Sequence, residues 1–334
     1  MSAVVRLRII CDVSGTDNQV PTPRISIVTP SFNQAQYLEA TICSVLDQGY
    51  ANLEYIVIDG GSTDGSAEIL RRYDRHLAHW VSEKDRGQTH AINKGMARAT
   101  GEIRAYLNSD DTYSAGTLHA VAEAALAHPE ADLIYGDCAI MDGAGQATGA
   151  VLKGDIANLE DVLDVWGVWW QRRNYVQPEV FWTKRIADRV GSFEESLHYV
   201  MDYDYWVRIF AAGGRAHKID RTLANFRLWE QQKSRNAEQS AAEMLVQLRG
   251  YLWDANVPID RAKRRRLQGD WQYSTVFLPE VERLVAAGAS RSSRMAGLAL
   301  CVLRHPRLLA ARGFKARLAA MKAGGGHAVP GGAT

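Results

Sequence analysis

Between residues 24 and 140, short apolar runs alternate with stretches of helical spacing, and every run ends in a polar loop. ISIVT (25–29), LEYIVID (53–59) and residues 77–82, 102–107 and 132–137 read as strands, being short and bounded by turn residues. Helices are predicted over 33–48, from the GGSTDG turn to Tyr73, and over 89–99 and 115–128, with Asn33 and Asp64 as candidate caps. A parallel neighbour needs a crossover about as long as a helix, so this alternation predicts an α/β fold: a mainly parallel sheet flanked by helices. In such sheets ligands bind beyond the carboxyl ends of the strands. The polar segments 30–33, 59–65, 85–87 and 108–111 each follow a predicted strand and converge on that edge.

Composition narrows the class. The chain has 334 residues, 46% of them hydrophobic and 23% charged, enough to bury a core as one elaborated domain or two small ones. A formal net charge of +1 gives no reason to expect nucleic-acid binding. Four scattered cysteines without a CxxC pair argue against a disulfide framework or zinc site and fit a reducing cytoplasm. The first residues carry Arg6, Arg8 and Asp12 and do not read as a signal peptide, and no apolar run reaches the roughly 18 residues of a membrane span.

Four segments carry candidate chemistry. Asp110 and Asp111 follow the strand EIRAYL, and adjacent carboxylates are costly to hold together unless a cation lies between them. A divalent metal bridging to phosphate meets that need; a solvated turn in which Asp110 caps the next helix meets it equally. Asp59 closes VIDGGSTDG, where glycines let backbone amides approach a ligand and the carboxylate can accept from a base or ribose. The loop is neither GxGxxG nor a Walker A loop. Asp85, Arg86, Gly87 and, one helical turn on, Lys94 offer contacts to base, ribose or phosphate, or are plain surface. In MDYDYW, Asp202 shares a helical face with Trp206 and Ile209 while Asp204 points elsewhere, so one aspartate is expected in the site and the other in solvent.

Taken in order, TPSFNQAQYLEATICSVLDQ, EYIVIDGGSTDGS, SEKDRGQTHAINKGMARATGE, AYLNSDDTY, LIYGD, QPEVFW, GSFEESLHYVMDYDYWVRI and FRLWEQQKS resemble the family-2 inverting glycosyltransferases of bacterial cell-envelope and polysaccharide type, which have a GT-A fold. The resemblance spans roughly residues 24–235. It implies a nucleotide-diphosphate sugar, UDP-linked by default, as donor and a glycan or lipid-linked acceptor. Pro30, Asn33, Asp59, Asp85, Arg86, Gly87, Lys94 and Asp110 would hold the donor. Gln177, Trp182 and Glu195 would lie toward sugar and acceptor. Asp110 and Asp111 would hold manganese or magnesium, and Asp202 would be the general base of a single displacement. Two departures stand out. Asn108 occupies a place that often carries Asp, and Trp229 one that usually carries a metal- or diphosphate-contacting His, which implies fewer protein ligands, weaker metal binding, or compensation by Arg227 and Lys233.

A sugar-1-phosphate nucleotidyltransferase would want a basic, glycine-rich loop after the first strand, which TPSFNQ is not. A degenerate nucleotide-sugar-binding scaffold without transfer is the other alternative. The domain reading is an extension over 1–23, the GT-A domain over 24–237 (a donor half to 140, an acceptor and catalytic half beyond), a helical region over 238–322 and a disordered tail over 323–334. From Arg283 onward the chain has no acidic residue, while basic and apolar residues alternate. This fits a basic amphipathic helix on an anionic membrane surface, hence a cytoplasmic protein peripheral on the inner face, and it equally fits a helix packed on the catalytic domain.

Overall fold

The computed structural model describes residues 22–174 and 177–322, so most of the expected extension and all of the expected tail lie outside the described residues. The strands are β1 (Ile25–Ser31), β2 (Leu53–Asp59), β3 (His79–Ser82), β4 (Ile103–Tyr106), β5 (Thr112–Tyr113), β6 (Leu133–Met141), β7 (Ala147–Lys153), β8 (Val180–Thr183) and β9 (Ala216–Arg227). The helices are α1 (Ala35–Leu46), α2 (Ser66–Tyr73), α3 (Gln88–Met96), α4 (Thr117–Ala127), α5 (Leu159–Leu163), α6 (Lys184–Val190), α7 (Met201–Ala211), α8 (Ala237–Trp253), α9 (Arg261–Gln272), α10 (Leu278–Ala286), α11 (Arg291–Arg304) and α12 (Arg312–Lys322).

One sheet runs in the order β3-β2-β1-β4-β8-β6-β9-β5, with β7 on β6. Its first half is parallel, β1 pairing with β2 and β4 and β2 with β3, as the strand–helix alternation predicts. The second half departs from a mainly parallel sheet. β8 lies antiparallel between β4 and β6, and β5 and β7 also pair antiparallel. Beyond residue 130 the chain offers hairpins and returns instead of repeated helical crossovers, so the sheet is mixed.

β1 continues through Pro30, which stays paired with Ile58 of β2: the even-numbered residues of β1 turn their backbone groups toward β4, whose pairing with β1 stops at Val28, so the proline nitrogen interrupts no bond between β1 and β2. Against β1 lies α3, seated so closely that a Cβ on Gly95 would stand 2.3 Å from Val28 Cγ1. The central strands are solvent-free, with Ile25, Ile27, Val28, Ile56, Val57 and Ile58 at the heart of the core.

The helical region divides in two. Leu248 and Leu252 of α8 and Leu267 of α9 join the main core. Phe277, Cys301, Leu308 and Phe314 form a second, smaller core under α10–α12.

Candidate active site

The carboxyl ends of β1, β2 and β4 open onto a cavity of about 690 Å³, within the range that holds a small-molecule ligand. Pro30, Asn33, Asp85, Gly87, Asn108, Asp110, Gln177 and Asp202 all line it, so four of the segments singled out in the sequence meet there. Phe32, 61% exposed, stands at its edge.

The first wall is built by a mutual capping arrangement. Asn33 does not cap α1 as expected. It takes a left-handed conformation (φ 50°), and its side-chain Oδ1 accepts from Thr63 N at 2.9 Å while its backbone N–H donates to Ser62 Oγ at 2.7 Å. The N-terminus of α1 is capped from across the fold by Asp64, which accepts from Ala35 N at 2.8 Å and from Ser66 N, at the start of α2, at 3.1 Å. Asp59 is fully buried, and its carboxylate accepts from Gly61 N, Ser62 N, Ser62 Oγ and Ser82 Oγ at 2.5–3.2 Å. Those four donors leave it bracing the glycine turn, whereas the sequence reading has it accepting from a base or ribose. Asp85 does reach the cavity, its Oδ1 taking Gly87 N at 2.8 Å, and it packs so tightly on Gly60 that a Cβ there would meet it at 2.8 Å.

The aspartate pair splits. Asp110, 6% exposed, lines the cavity and accepts the indole N–H of Trp229 at 2.8 Å. Asp111 is turned into the protein and fully buried, its Oδ1 accepting from Arg227 N at 2.9 Å. Burial pushes both carboxyl pKa values up, that of Asp111 well above the usual range because the Asp110 charge adds to it. The sequence reading has both as metal ligands, but only Asp110 faces the cavity. Among the described residues, no group of three or more His, Cys, Asp or Glu side chains is placed to hold a metal ion. An indole N–H donates and cannot ligate. The donor set therefore does not fit a resident divalent metal held by both aspartates. Arg227 is withdrawn as well. Its Nε donates to Asp110 O at 2.7 Å, and its guanidinium lies 4.5 Å over Tyr37, away from the cavity. Lys233 does line the cavity and donates to Gln88 Oε1 at 2.9 Å.

Asp202 opens α7 and stands half-buried on the cavity wall. Burial raises its pKa, and the amide of Tyr203 and the charge of Lys233 pull it back only in part. Asp204, expected in solvent, is buried, because α8 covers that face of α7. It pairs with Arg208 at 2.8 Å and accepts the Tyr251 hydroxyl from α8.

Several predicted residues do not reach the cavity. Arg86 is exposed and pairs with Glu195 at 2.6 Å, so both are held at the surface by each other. Lys94 pairs with Glu83 on the outer side of α3. Trp182 is 1% exposed, packs in an aromatic cluster with Tyr106, Phe193, Tyr205 and Trp206, and borders a separate cavity of about 250 Å³. Conversely, Gln34, Tyr199 and Phe226 line the main cavity without having been singled out. Gln34 is the next residue of the TPSFNQ loop and was within reach of sequence reasoning. Phe226 and Tyr199 come from elements whose direction only the tertiary fold sets.

The sequence model described as Glycosyl transferase family 2 matches residues 26–193. TuaG of Bacillus subtilis, named for teichuronic acid biosynthesis, is 40% identical over 96 residues, 27% of this chain and 37% of that protein. A PGL/p-HBAD biosynthesis glycosyltransferase of Mycobacterium bovis is 28% identical over 193 residues, 57% of this chain and 70% of its own. The chain thus spans well under two thirds of the Bacillus relative. Among solved structures, S. aureus TarS 1-349 in complex with UDP-GlcNAc superposes with a TM-score of 0.59 at 16% identity, covering 84% of this chain and 79% of that one. The mannosyltransferase PcManGT from Pyrobaculum calidifontis, in complex with GDP-Man and Mn2+, gives 0.56 at 20% identity, covering 92% and 88%. At these identities the superpositions establish the GT-A-type fold.

Proposed function

This chain belongs to glycosyl transferase family 2, and on that footing we propose that it transfers a sugar from a nucleotide-diphosphate sugar to a hydroxyl of a glycan or lipid-linked acceptor, with inversion at the anomeric carbon. The observation that carries the reading is that Asp202, its pKa raised by burial, lines the same cavity as Pro30, Asn33, Asp85 and Asp110. The donor lies over the carboxyl ends of β1 and β2, with Asp110 toward the sugar-diphosphate. Asp202 accepts the proton of the acceptor hydroxyl as its oxygen attacks from the face opposite the diphosphate. Gln177, anchored to Tyr106 O and Asn108, borders the sugar. A UDP-sugar is the first donor to try, since the similar TarS structure holds UDP-GlcNAc; GDP-mannose in the archaeal structure makes GDP-sugars the second. Work at the inner face of a membrane, through α11 and the residues after it, completes the proposal.

Nucleotide binding without transfer is the second reading, favoured by Asn108 and Trp229 at places where the family carries charged or metal-contacting side chains. A thermal-shift screen of UDP, dTDP and GDP and their sugar conjugates, followed by an assay for released nucleoside diphosphate, separates the two. A nucleotide that binds the folded state raises the melting temperature by mass action. Stabilisation with release supports transfer; stabilisation without release across glycan and polyprenyl acceptors supports the second reading. No stabilisation at millimolar nucleotide would sink both.

A further inference from the structure

Of the two lysines lining the cavity, Lys84 is exposed and Lys233 is largely enclosed. The Lys233 ammonium donates to Gln88 Oε1 at 2.9 Å and stands 5.8 Å from the centre of the Tyr199 ring. From Gln88 a chain of amides continues. Gln88 Nε2 donates to Asn108 Oδ1 at 2.7 Å, Asn108 Nδ2 donates to Gln177 Oε1 at 3.1 Å, and Gln177 Nε2 donates to Tyr106 O. Both ends fix its direction, because an ammonium can only donate and a backbone carbonyl can only accept. An ionised Asp at position 108 would have no N–H for Gln177 and would break the chain in the middle. Asn108 is therefore the residue this arrangement requires.

On the other side, the aspartates hold the strap that delivers the lysine. Asp111 takes Arg227 N at 2.9 Å, the carbonyl of Asp110 takes Arg227 Nε at 2.7 Å, and the carboxylate of Asp110 takes the indole of Trp229 at 2.8 Å. Trp229 is steadied in turn by the edge of Tyr37, ring centres 5.3 Å apart. One carboxylate oxygen of each aspartate is thus taken by a protein donor, and Trp229 stands four residues before the enclosed cation.

We infer that Lys233 stands in place of a bound metal ion: its ammonium meets the diphosphate of the nucleotide sugar, and donor binding needs no divalent cation. The inference rests on the transferase reading and specifies how its charge is met. One N–H of the ammonium is spent on Gln88, which aims the remainder. As the bond between the anomeric carbon and the phosphate oxygen breaks, its electron pair stays on the phosphate and the added charge falls against Lys233. The acceptor oxygen forms the new bond, and its proton passes to Asp202.

Calorimetric titration of the full chain with UDP, GDP and dTDP, in EDTA and again with manganese, tests this. The expected result is one nucleoside diphosphate binding within about threefold equally in both conditions. Lys233→Met should weaken that diphosphate about tenfold or more, Lys233→Arg should restore part of the loss, and the matching nucleoside without phosphates should bind both variants as it binds the unaltered chain. Binding that appears only with manganese overturns the inference on the unaltered protein and leaves the transferase reading standing. So does a folded Lys233→Met that binds the diphosphate normally. Absence of binding by all three nucleotides in both conditions overturns the inference and the reading together.

Discussion

Asp202 and Asp204 lie two positions apart on α7 and have opposite chemistry because a helix turns about 200° between them. Asp204 is consumed by Arg208 and Tyr251, whereas Asp202 is held by backbone amides, taking Tyr203 N at 2.7 Å. Asp202→Asn keeps size and that bond while removing the base, so turnover should fall about 10²–10⁴-fold with donor affinity little changed. Steady-state kinetics beside nucleotide calorimetry would check both halves; a variant with near-normal turnover would strip Asp202 of the role. The pH profile follows from the same burial. A base must be ionised, and the folded pKa is raised, so activity should fail on acidification at a higher pH than the usual carboxylate range near 4. A kcat/KM profile flat down to pH 4.5 would contradict this. Asp59 teaches the converse, since residue type and loop made it a ligand candidate, yet four local donors absorb its carboxylate.

Elements were legible where local pattern decides them. The parallel half of the sheet, its helices and the convergence of their loops follow from short apolar runs separated by helical spacing, and the structure has them within a few residues. Capping was legible in part. Asp64 does cap, but its second partner, the start of α1, is 29 residues away in sequence and no local rule could supply it. The insertion of β8 between β4 and β6 was not legible either, because antiparallel pairing of residues as far apart as Ile103 and Thr183, or Leu133 and Trp182, leaves no periodic trace. The packing of α3 on β1 gives a test at this scale. Gly95→Ala improves intrinsic helix propensity by up to about 1 kcal/mol, but the new methyl would sit 2.3 Å from Val28 Cγ1. Overpacking of that kind costs about 1–3 kcal/mol, so the variant should be net destabilised by about 1–2 kcal/mol. Urea denaturation would show it, and pairing the change with Val28→Ala should recover much of the loss, as expected of side chains in direct contact.

At the scale of the whole molecule, one carboxylate ties the C-terminal helices to the body that carries the sheet. Asp164, just after α5, takes Arg312 at 2.5 and 3.0 Å and Arg266 at 3.1 Å, while Asp270 takes Arg312 at 3.0 Å. Burial pushes Asp164 upward, but its arginines outweigh this and hold its pKa below the ordinary value. Such a group adds stability above its unfolded pKa of about 4, and that stability is lost as pH falls through the lower folded value. Asp164→Asn should therefore cost about 2 kcal/mol at pH 7, and the difference from the unaltered chain should shrink toward pH 3. Melting curves across that pH range would reveal a constant gap if the staple were idle.

The α10–α12 unit thus anchored buries one face of α11 through Cys301 in the small core, yet its opposite face is apolar too. Met295, Ala296, Ala299, Leu300 and Leu303 fall within an arc of about 140° at 3.6 residues per turn, with Met295 53%, Leu300 46% and Leu303 79% exposed. Arg291 and Arg304 bound this face, Leu309 is exposed beyond it, and no acidic residue follows Glu282. No described helix is long and apolar enough to cross a membrane, so the geometry suits contact along a surface. An apolar stripe edged by arginines matches an anionic lipid surface, which rewards apolar burial and positive charge together. Sedimentation with vesicles should carry the full chain down with phosphatidylglycerol-containing lipid at low salt and not with phosphatidylcholine alone. Leu303→Glu, at the most exposed point of the stripe, should leave the protein in the supernatant without lowering its melting temperature, because that side chain touches solvent and not the core. Equal recovery of the unaltered chain from both vesicle types would remove the membrane from the proposal and leave the stripe without its occupant.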